Sequence, residues 1–253
     1  MAYSIMLDAG HGGIEPGAVY QGRQEKDDTL RLTLAIGDIL QNNGVDVEYT
    51  RTTDVYESPF QKAMEANEAG VDFFVSIHRN SFPVPNQAMG VESLVYDLSG
   101  IKYIMAQNIN DQLETVGFVN LGVKARPNLV VLKRTKMPAV LVEVGFINSD
   151  TDNQLFDDNF DDIAQAIARG ILDTLNSLQK PEEKNYRIQV GLYRNPSNAQ
   201  RALNGLLSMG FPAYIDSFGE YERVLVGGYS DMEEAVQMER RLRREGYQTL
   251  IVS

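Results

Sequence analysis

Only two histidines occur in the 253 residues, and both stand where a strand-like run gives way to a turn. His11 follows such a run in Leu7-Asp-Ala-Gly-His-Gly-Gly13, and His78 follows another in Phe73-Phe-Val-Ser-Ile-His-Arg-Asn80. Glu143 ends a third, within Ala139-Val-Leu-Val-Glu-Val-Gly-Phe146. Two neutral imidazoles and a carboxylate are the donor set of a catalytic zinc ion that keeps a fourth position for water. The chain has no cysteine, so thiolate ligands, disulfides and a cysteine nucleophile are excluded, and metal donors narrow to His, Asp and Glu. If Glu143 is kept for proton transfer, the third ligand must be another acid. Glu25 is the choice, because it opens the helical pattern that returns from the strand carrying His11; spacing alone does not separate it from Glu15 or Asp27. Glycines 12, 13 and 17 suit a tight turn whose amides face a substrate oxygen.

Each residue also has a bland reading. A histidine at a strand end is ordinarily a hydrogen-bonded residue, and an acid in a first helical turn is an ordinary dipole partner. Glu143 resists that reading, because a carboxylate flanked by Val140, Leu141, Val142 and Val144 is partly buried, and burial is costly unless the group is paired or bound to metal. Other chemistries lack their signatures. There is no Gly-x-Ser-x-Gly, no phosphate loop ending in Gly-Lys-Ser/Thr and no dinucleotide glycine pattern. A two-carboxylate glycosidase site would leave both histidines unexplained.

The elements that must position these residues alternate. Strand candidates run over Ser4 to Asp8, Val45 to Thr50, Asp72 to Ile77, Gly90 to Tyr96 and Ala139 to Val144. Helical periodicity runs through Leu30 to Leu40 and Ile163 to Leu175. The alternation predicts an α/β fold, a mainly parallel twisted sheet flanked by helices, with ligands outside the carboxyl ends of the strands. That places His11, His78 and Glu143 on one rim.

A polar run with a proline, Ser177 to Asn185, reads as a linker. The chain therefore divides into a catalytic domain at 1–178, a linker at 179–185 and a small domain at 186–253. The small domain nearly repeats itself at a spacing of 36 residues: Ile188-Gln-Val-Gly-Leu-Tyr193 is echoed by Val224-Leu-Val-Gly-Gly-Tyr229, and Met209-Gly-Phe211 by Glu245-Gly-Tyr247. Each copy reads strand, helix (Ser197 to Ser208; Met232 to Arg244), strand (Ala213 to Asp216; Thr249 to Val252), which gives an α+β ferredoxin-like βαββαβ arrangement.

The net charge of -12 belongs entirely to the first part, since from Lys180 onward ten Lys/Arg balance ten Asp/Glu. An acidic catalytic domain argues against nucleic acid as a partner. No run approaches the roughly 20 apolar residues of a membrane span, and the start shows no basic, then apolar, leader pattern. Synthesis is expected to end in the cytoplasm.

At these residues the sequence resembles the zinc-dependent N-acetylmuramoyl-L-alanine amidases, a family that includes sporulation and autolytic amidases and phage endolysins. The resemblance runs from Ile5 to about Leu175. It rests on Asp8-Ala-Gly-His-Gly-Gly13, Gly17-Ala18, Glu25-Lys26, Thr50-Arg51, Ala66-Asn67, Val75-Ser-Ile-His78 with Asn80-Ser81, Gly90-Val-Glu92 and Met137-Pro-Ala-Val-Leu-Val-Glu-Val-Gly-Phe146. It implies that His11, Glu25 and His78 hold one Zn²⁺ and that Glu143 is the catalytic acid and base. The implied reaction hydrolyses the amide joining the lactyl group of N-acetylmuramic acid to L-alanine of the stem peptide. Substrate contacts are expected at Gly12, Gly13, Arg79 and Asn80; the family often has proline at Ala9, arginine at Lys62 and a small residue at Arg79.

The tail resembles a SPOR domain, through Tyr186-Arg-Ile-Gln-Val-Gly-Leu-Tyr193 and Glu222-Arg-Val-Leu-Val-Gly-Gly-Tyr229. That family binds glycan strands stripped of stem peptides, so peptidoglycan is the expected partner of both domains, with Gln189, Tyr193 and Arg223 as contacts. Action on the wall without an export signal implies release on lysis, by a holin if the chain is phage-encoded or by the sporulating mother cell. Two other readings compete: a zinc peptidase cutting inside the stem peptide, and a non-catalytic wall-binding protein.

Overall fold

The computed structural model describes residues 3–178 and 185–252, and the chain forms two compact units, Met1–Leu178 and Gln179–Ser253. Of the expected linker at 179–185, all but Asn185 lies outside the described residues.

In the first unit the elements run β1 (Ser4–Ala9), β2 (Val19–Tyr20), β3 (Arg23–Gln24), α1 (Glu25–Asn42), β4 (Asp46–Tyr49), α2 (Pro59–Ala69), β5 (Phe73–Asn80) and β6 (Val91–Val95). They continue with α3 (Gly100–Val116), β7 (Asn120–Ala125), α4 (Val130–Arg134), β8 (Ala139–Phe146), α5 (Asp150–Asp158) and α6 (Phe160–Leu178). Six strands make one sheet in the order β4-β1-β5-β8-β6-β7. The pairs β4/β1, β1/β5 and β5/β8 are parallel, while β6 meets β8 antiparallel and carries β7 parallel to itself. The sheet is thus mainly parallel, as the alternation predicts, with two strands reversed.

Strand period sorts the side chains onto two faces. Ile5, Leu7, Phe73, Val75, Ile77, Val140, Val142 and Val144 join the larger core, with Leu32 and Ile36 of α1, Ile109 of α3 and Ile167 of α6. Met6, Phe74, Leu94 and Leu141 face the other way, onto Ala66 of α2 and Val131 and Leu132 of α4. These two helices are short, and α2 is sharply bounded: a Ser58/Gln61 capping box with Pro59 starts it, and Gly70 at φ 70 stops it. The thinly covered face is where the polar residues of β1, β5, β6 and β8 emerge.

Strands β5 and β8 run past the expected ends at Ile77 and Val144. His78 therefore lies within β5 and not beyond its end, as the register partner of Glu143, which lies inside β8 as expected. The polar character of His78 ended the apolar pattern without ending the ladder.

The second unit contains β9 (Tyr186–Tyr193), α7 (Pro196–Ser208), β10 (Ala213–Phe218), β11 (Tyr221–Tyr229), α8 (Met232–Arg244) and β12 (Leu250–Val252). Its antiparallel sheet has the order β10-β11-β9-β12, the ferredoxin-like arrangement expected from the repeat. Ile188, Val224 and Val226 pack on Ala199, Leu206, Ala235 and Leu242 of the two helices.

Candidate metal centre

The loop after β1 brings His11 over the C-terminal ends of β1 and β5. Its backbone is unusual: His11 has φ 64, and Gly12 and Gly13 continue at φ 140 and 55. A non-glycine residue there carries strain, so the loop must be held from outside. Arg51 Nε donates to the Ala9 carbonyl at 3.1 Å, Thr29 Oγ1 to the Gly10 carbonyl at 2.7 Å and Lys62 Nζ to the Ala9 carbonyl at 2.7 Å. Beneath them Asp8 is buried and accepts from Thr50 Oγ1 at 2.7 Å, Ser76 Oγ at 2.6 Å and Lys62 Nζ at 2.6 Å. Burial opposes charge on Asp8, but the Lys62 ammonium and the hydrogen bonds hold its pKa below the ordinary value.

Glu25 is the first residue of α1, in an acidic first turn with Asp27 and Asp28 that suits the helix dipole. The β2/β3 hairpin, turned by Gln21 at φ 50 and Gly22 at φ 84, delivers the chain to that point. Glu25 Oε1 lies 3.0 Å from both His11 Nε2 and His78 Nδ1 and accepts the Arg79 amide at 3.0 Å; Oε2 accepts the Ala18 amide at 2.9 Å. The ligand atoms of His11, Glu25 and His78 fall within 4.8 Å of one another, close enough for all three to hold one ion. Asp27 is exposed, and Glu15 lies against His11 Nδ1 on the far side of the ring, so the geometry separates the three acids that spacing left open. Burial opposes charge on both members of the His11–Glu25 pair. Their contact, with that of His78, still lowers the Glu25 pKa, and with Glu15 it raises that of His11 to about 9. Glycine is required at two neighbouring positions: a Cβ on Gly10 would lie 2.5 Å from the His78 ring, and one on Gly17 2.6 Å from both Glu25 and His11.

Glu143 projects from β8 on the same face as His78, its register partner. Its Oε2 is buried with no hydrogen-bond partner among the described residues, and burial raises its pKa to about 7, with Glu25 and Glu92 adding to the rise against the opposing His78. Glu92 of β6 is in turn the antiparallel partner of Glu143, and its carboxylate is taken up by Lys124 and by Asn80 Nδ2 at 3.0 Å. A cavity of about 440 Å³ opens beside the centre, lined by His11, Glu15, His78, Tyr56, Leu129 and Val130 among others.

A sequence model for N-acetylmuramoyl-L-alanine amidase matches residues 5–173, and one for the SPOR domain matches residues 182–253. The chain belongs to the N-acetylmuramoyl-L-alanine amidase family. It is 34% identical over 217 residues to a sporulation-specific N-acetylmuramoyl-L-alanine amidase of Bacillus subtilis, covering 83% of each chain. It is 36% identical over 190 residues to an endolysin of Bacillus phage SPP1, covering 71% of this chain and 69% of that one. Among solved structures, the N-acetylmuramoyl-L-alanine amidase of Clostridium difficile 630 superposes with a TM-score of 0.66 at 31% identity, over 70% of this chain and 98% of that one. The catalytic domain of CwlV from Bacillus (Paenibacillus) polymyxa gives 0.63 at 30%, over 69% and 98%.

Within this amidase several expected substrate contacts are placed elsewhere. Arg79 is one residue from His78, so it projects from the opposite face: it is buried, paired with Asp28 at 2.7 Å, bonded to Asn153 at 2.8 Å and stacked 4.2 Å from the Phe156 ring centre. Its side chain cannot meet a substrate at the centre. The amides of Gly12 and Gly13 are also taken, by the Glu15 carbonyl at 2.9 Å and Asp54 Oδ1 at 2.7 Å, and that of Gly17 by Glu15 Oε1 at 3.1 Å. Closing the turn consumes the donors that were expected to face a substrate oxygen. Asn80 is on the correct face, with its Nδ2 engaged by Glu92.

The sequence pointed to no role for Glu92 or the Asp8–Lys62 pair, and to Glu15 only as an alternative metal ligand. Glu92 carried the same signal as Glu143, a carboxylate inside an apolar strand run. The partners of Asp8 and Glu15 are tertiary and gave no comparable signal.

In the second unit, Gly191 pairs with Val224 and Gln189 with Leu225, so Val190 is an extra residue on β9. The bulge resets the alternation and Tyr193 packs against the core, over Gly191, instead of projecting from the exposed sheet face. Arg223 is tied to Asp216 and stacked 4.3 Å from the Phe218 ring centre, and Gln189 points away from its buried neighbour Ile188.

Proposed function

We propose that His11, Glu25 and His78 hold a zinc ion and that Glu143 is the general base and acid for hydrolysis of the amide between the muramoyl lactyl group and L-alanine. Two imidazoles and a carboxylate are a donor set that zinc accepts. Zinc bound there supplies polarisation of the scissile carbonyl and a more acidic water. Glu143 takes the proton from the attacking water and returns it to the departing amine of L-alanine. A pKa of about 7 suits both transfers near neutral pH, because the carboxyl neither holds the proton too tightly nor yields it too readily.

The observation that carries this reading is the Glu143 oxygen on the strand next to His78: among the described residues nothing bonds to this costly buried acceptor, which leaves it free for a substrate proton. Glu143→Ala should keep zinc and lower turnover by about 10²- to 10⁴-fold. The measurement is mass analysis of material released from peptidoglycan, with and without chelator, alongside the zinc content of the variant. Stem peptides with a free L-alanine amine, released only by the parent with zinc, fit the proposal. Activity of Glu143→Ala within a few fold of the parent sinks the assignment, and fragments with a free D-amino-acid end would favour the peptidase reading.

The second unit, on this proposal, binds glycan strands from which stem peptides have been removed, so that product made by the first unit is ligand for the second. Gln189, on the sheet face away from the helices, is retained as a contact, with Arg223 two residues along β11 from its register partner Leu225. Failure of residues 179–253 to sediment with amidase-treated sacculi would remove this part.

A further inference from the structure

The two histidines at the centre are aimed by different means. His78 belongs to β5, so the ladder fixes its backbone, and its ring packs over Gly10. His11 stands outside regular structure at φ 64. Bonds from Arg51, Thr29 and Lys62 reach the carbonyls of Ala9 and Gly10, but none of them touches the His11 ring. The groups bonded to that ring are two carboxylates, Glu25 at Nε2 and Glu15 at Nδ1.

We propose that Glu15 is the positioning residue that aims His11 at the metal, by accepting the Nδ1 proton while Nε2 serves as ligand. This rests on the zinc reading above. A ligating nitrogen gives up its lone pair, so the other ring nitrogen must carry the proton, and a carboxylate is an acceptor only. The pairing therefore selects one tautomer and one ring orientation, and it makes the ligand more basic. Glu15 is built to stay in place. It exchanges backbone hydrogen bonds with Gly12 in both directions, at 2.9 and 3.0 Å, and its second oxygen accepts the Gly17 amide at 3.1 Å. The four-residue turn from Gly12 to Glu15 thus folds the carboxylate back onto the histidine that precedes it. This also accounts for where the amides of Gly12 and Gly17 go: they anchor Glu15. The side chain is about half exposed, 47%, so its removal opens no core.

The test uses the full chain and zinc alone, with dissociation constants taken by competition against a chromophoric chelator. Glu15→Ala should bind zinc about 10- to 100-fold more weakly than the parent. Glu15→Gln, which keeps an acceptor for Nδ1, should recover to within about fivefold of the parent. Unchanged far-ultraviolet circular dichroism of both metal-free variants excludes misfolding as the cause. Parent-like affinity in Glu15→Ala overturns the inference, and so does a Glu15→Gln no better than Ala, because loss of a hydrogen-bond acceptor would then not be what matters. A parent chain that binds no zinc would overturn the metal reading itself, and this inference with it.

Discussion

The two units bury different things. The first encloses eight charged side chains, Asp8, Glu25, Asp28, Arg51, Lys62, Arg79, Glu92 and Asp152, while in the second every buried side chain among the described residues is apolar. Burial of a charge costs several kcal/mol unless it is paired and hydrogen-bonded. A unit that needs only to fold and present a surface has no reason to bear that cost, and the second unit closes its core with apolar side chains such as Ile188, Leu206, Phe211, Val224, Val226 and Leu242. In the first unit the charges form layers around one place: Asp8 with Lys62 under the His11 loop, Glu25 between the histidines, Arg79 with Asp28 behind the sheet and Glu92 beside Glu143. Burial of charge here marks the site and its supports.

The comparison breaks most decisively at Lys62. Lys62→Met leaves Asp8 buried with only neutral partners, Thr50 and Ser76, and should cost about 3–5 kcal/mol in urea unfolding. Adding Asp8→Asn should return more than half of that, because removal of both charges removes the penalty. Leu206→Ala in the second unit should cost about 2–5 kcal/mol with no partner change able to restore it, since the loss there is a cavity. A Lys62→Met cost below about 1 kcal/mol, or no recovery in the double variant, would mean that the pair is not what holds the loop.

Legibility in the sequence follows the same division. The repeat spacing of 36 residues located both helices of the second unit within one residue of their observed ends, because each copy must bury the same apolar positions. It failed at Tyr193, where the extra residue Val190 reverses the face of everything after it, and a bulge leaves no mark on an apolar pattern. In the first unit the alternation carried the sheet and helices α1 and α6. It missed α2, α4 and α5, whose apolar faces are short, α3, whose buried face is interrupted by Asn110, and β7, whose edge position buries little. Reversal of β6 was not legible, since strand direction depends on connections and not on period. Arg79 could have been excluded from parity with His78. The fate of the Gly13 amide could not have been foreseen, because Asp54 lies 41 residues away in sequence.

A smaller effect separates the units by pH. In the metal-free protein, burial works against a charged His11 but Glu25 and Glu15 hold the proton, so its pKa stands at about 9 against an ordinary 6.5. A folded-state pKa above the unfolded one stabilises fully below pH 6.5, and the stabilisation is lost as pH rises through about 9. The lowered pKa of Glu25 is in part the same contact seen from its partner, with His78 as a second cause, and a carboxylate lowered in this way titrates below the window in question. The metal-free first unit should therefore melt progressively lower across that window. Zinc, which displaces the Nε2 proton, should remove the slope. Neither histidine lies in the second unit, so its transition should stay flat over the same range. Calorimetry at several pH values with and without zinc reads all three, and a flat metal-free first transition would show that the His11–Glu25 pair adds no stability.

The smallest effect guards the interpretation of the largest. Lys62 is held by α2, whose capping box joins Ser58 and Gln61 at an exposed end. If Lys62→Met acted by loosening the helix and not by unpairing Asp8, weakening the helix from its cap should mimic it. Ser58→Ala removes one acceptor for a backbone amide and should cost about 1 kcal/mol. Because it leaves both charges in place, Asp8→Asn should not recover that loss. The two variants on one helix then differ both in size and in rescue, and the difference isolates what the buried pair contributes from what the helix that carries it contributes.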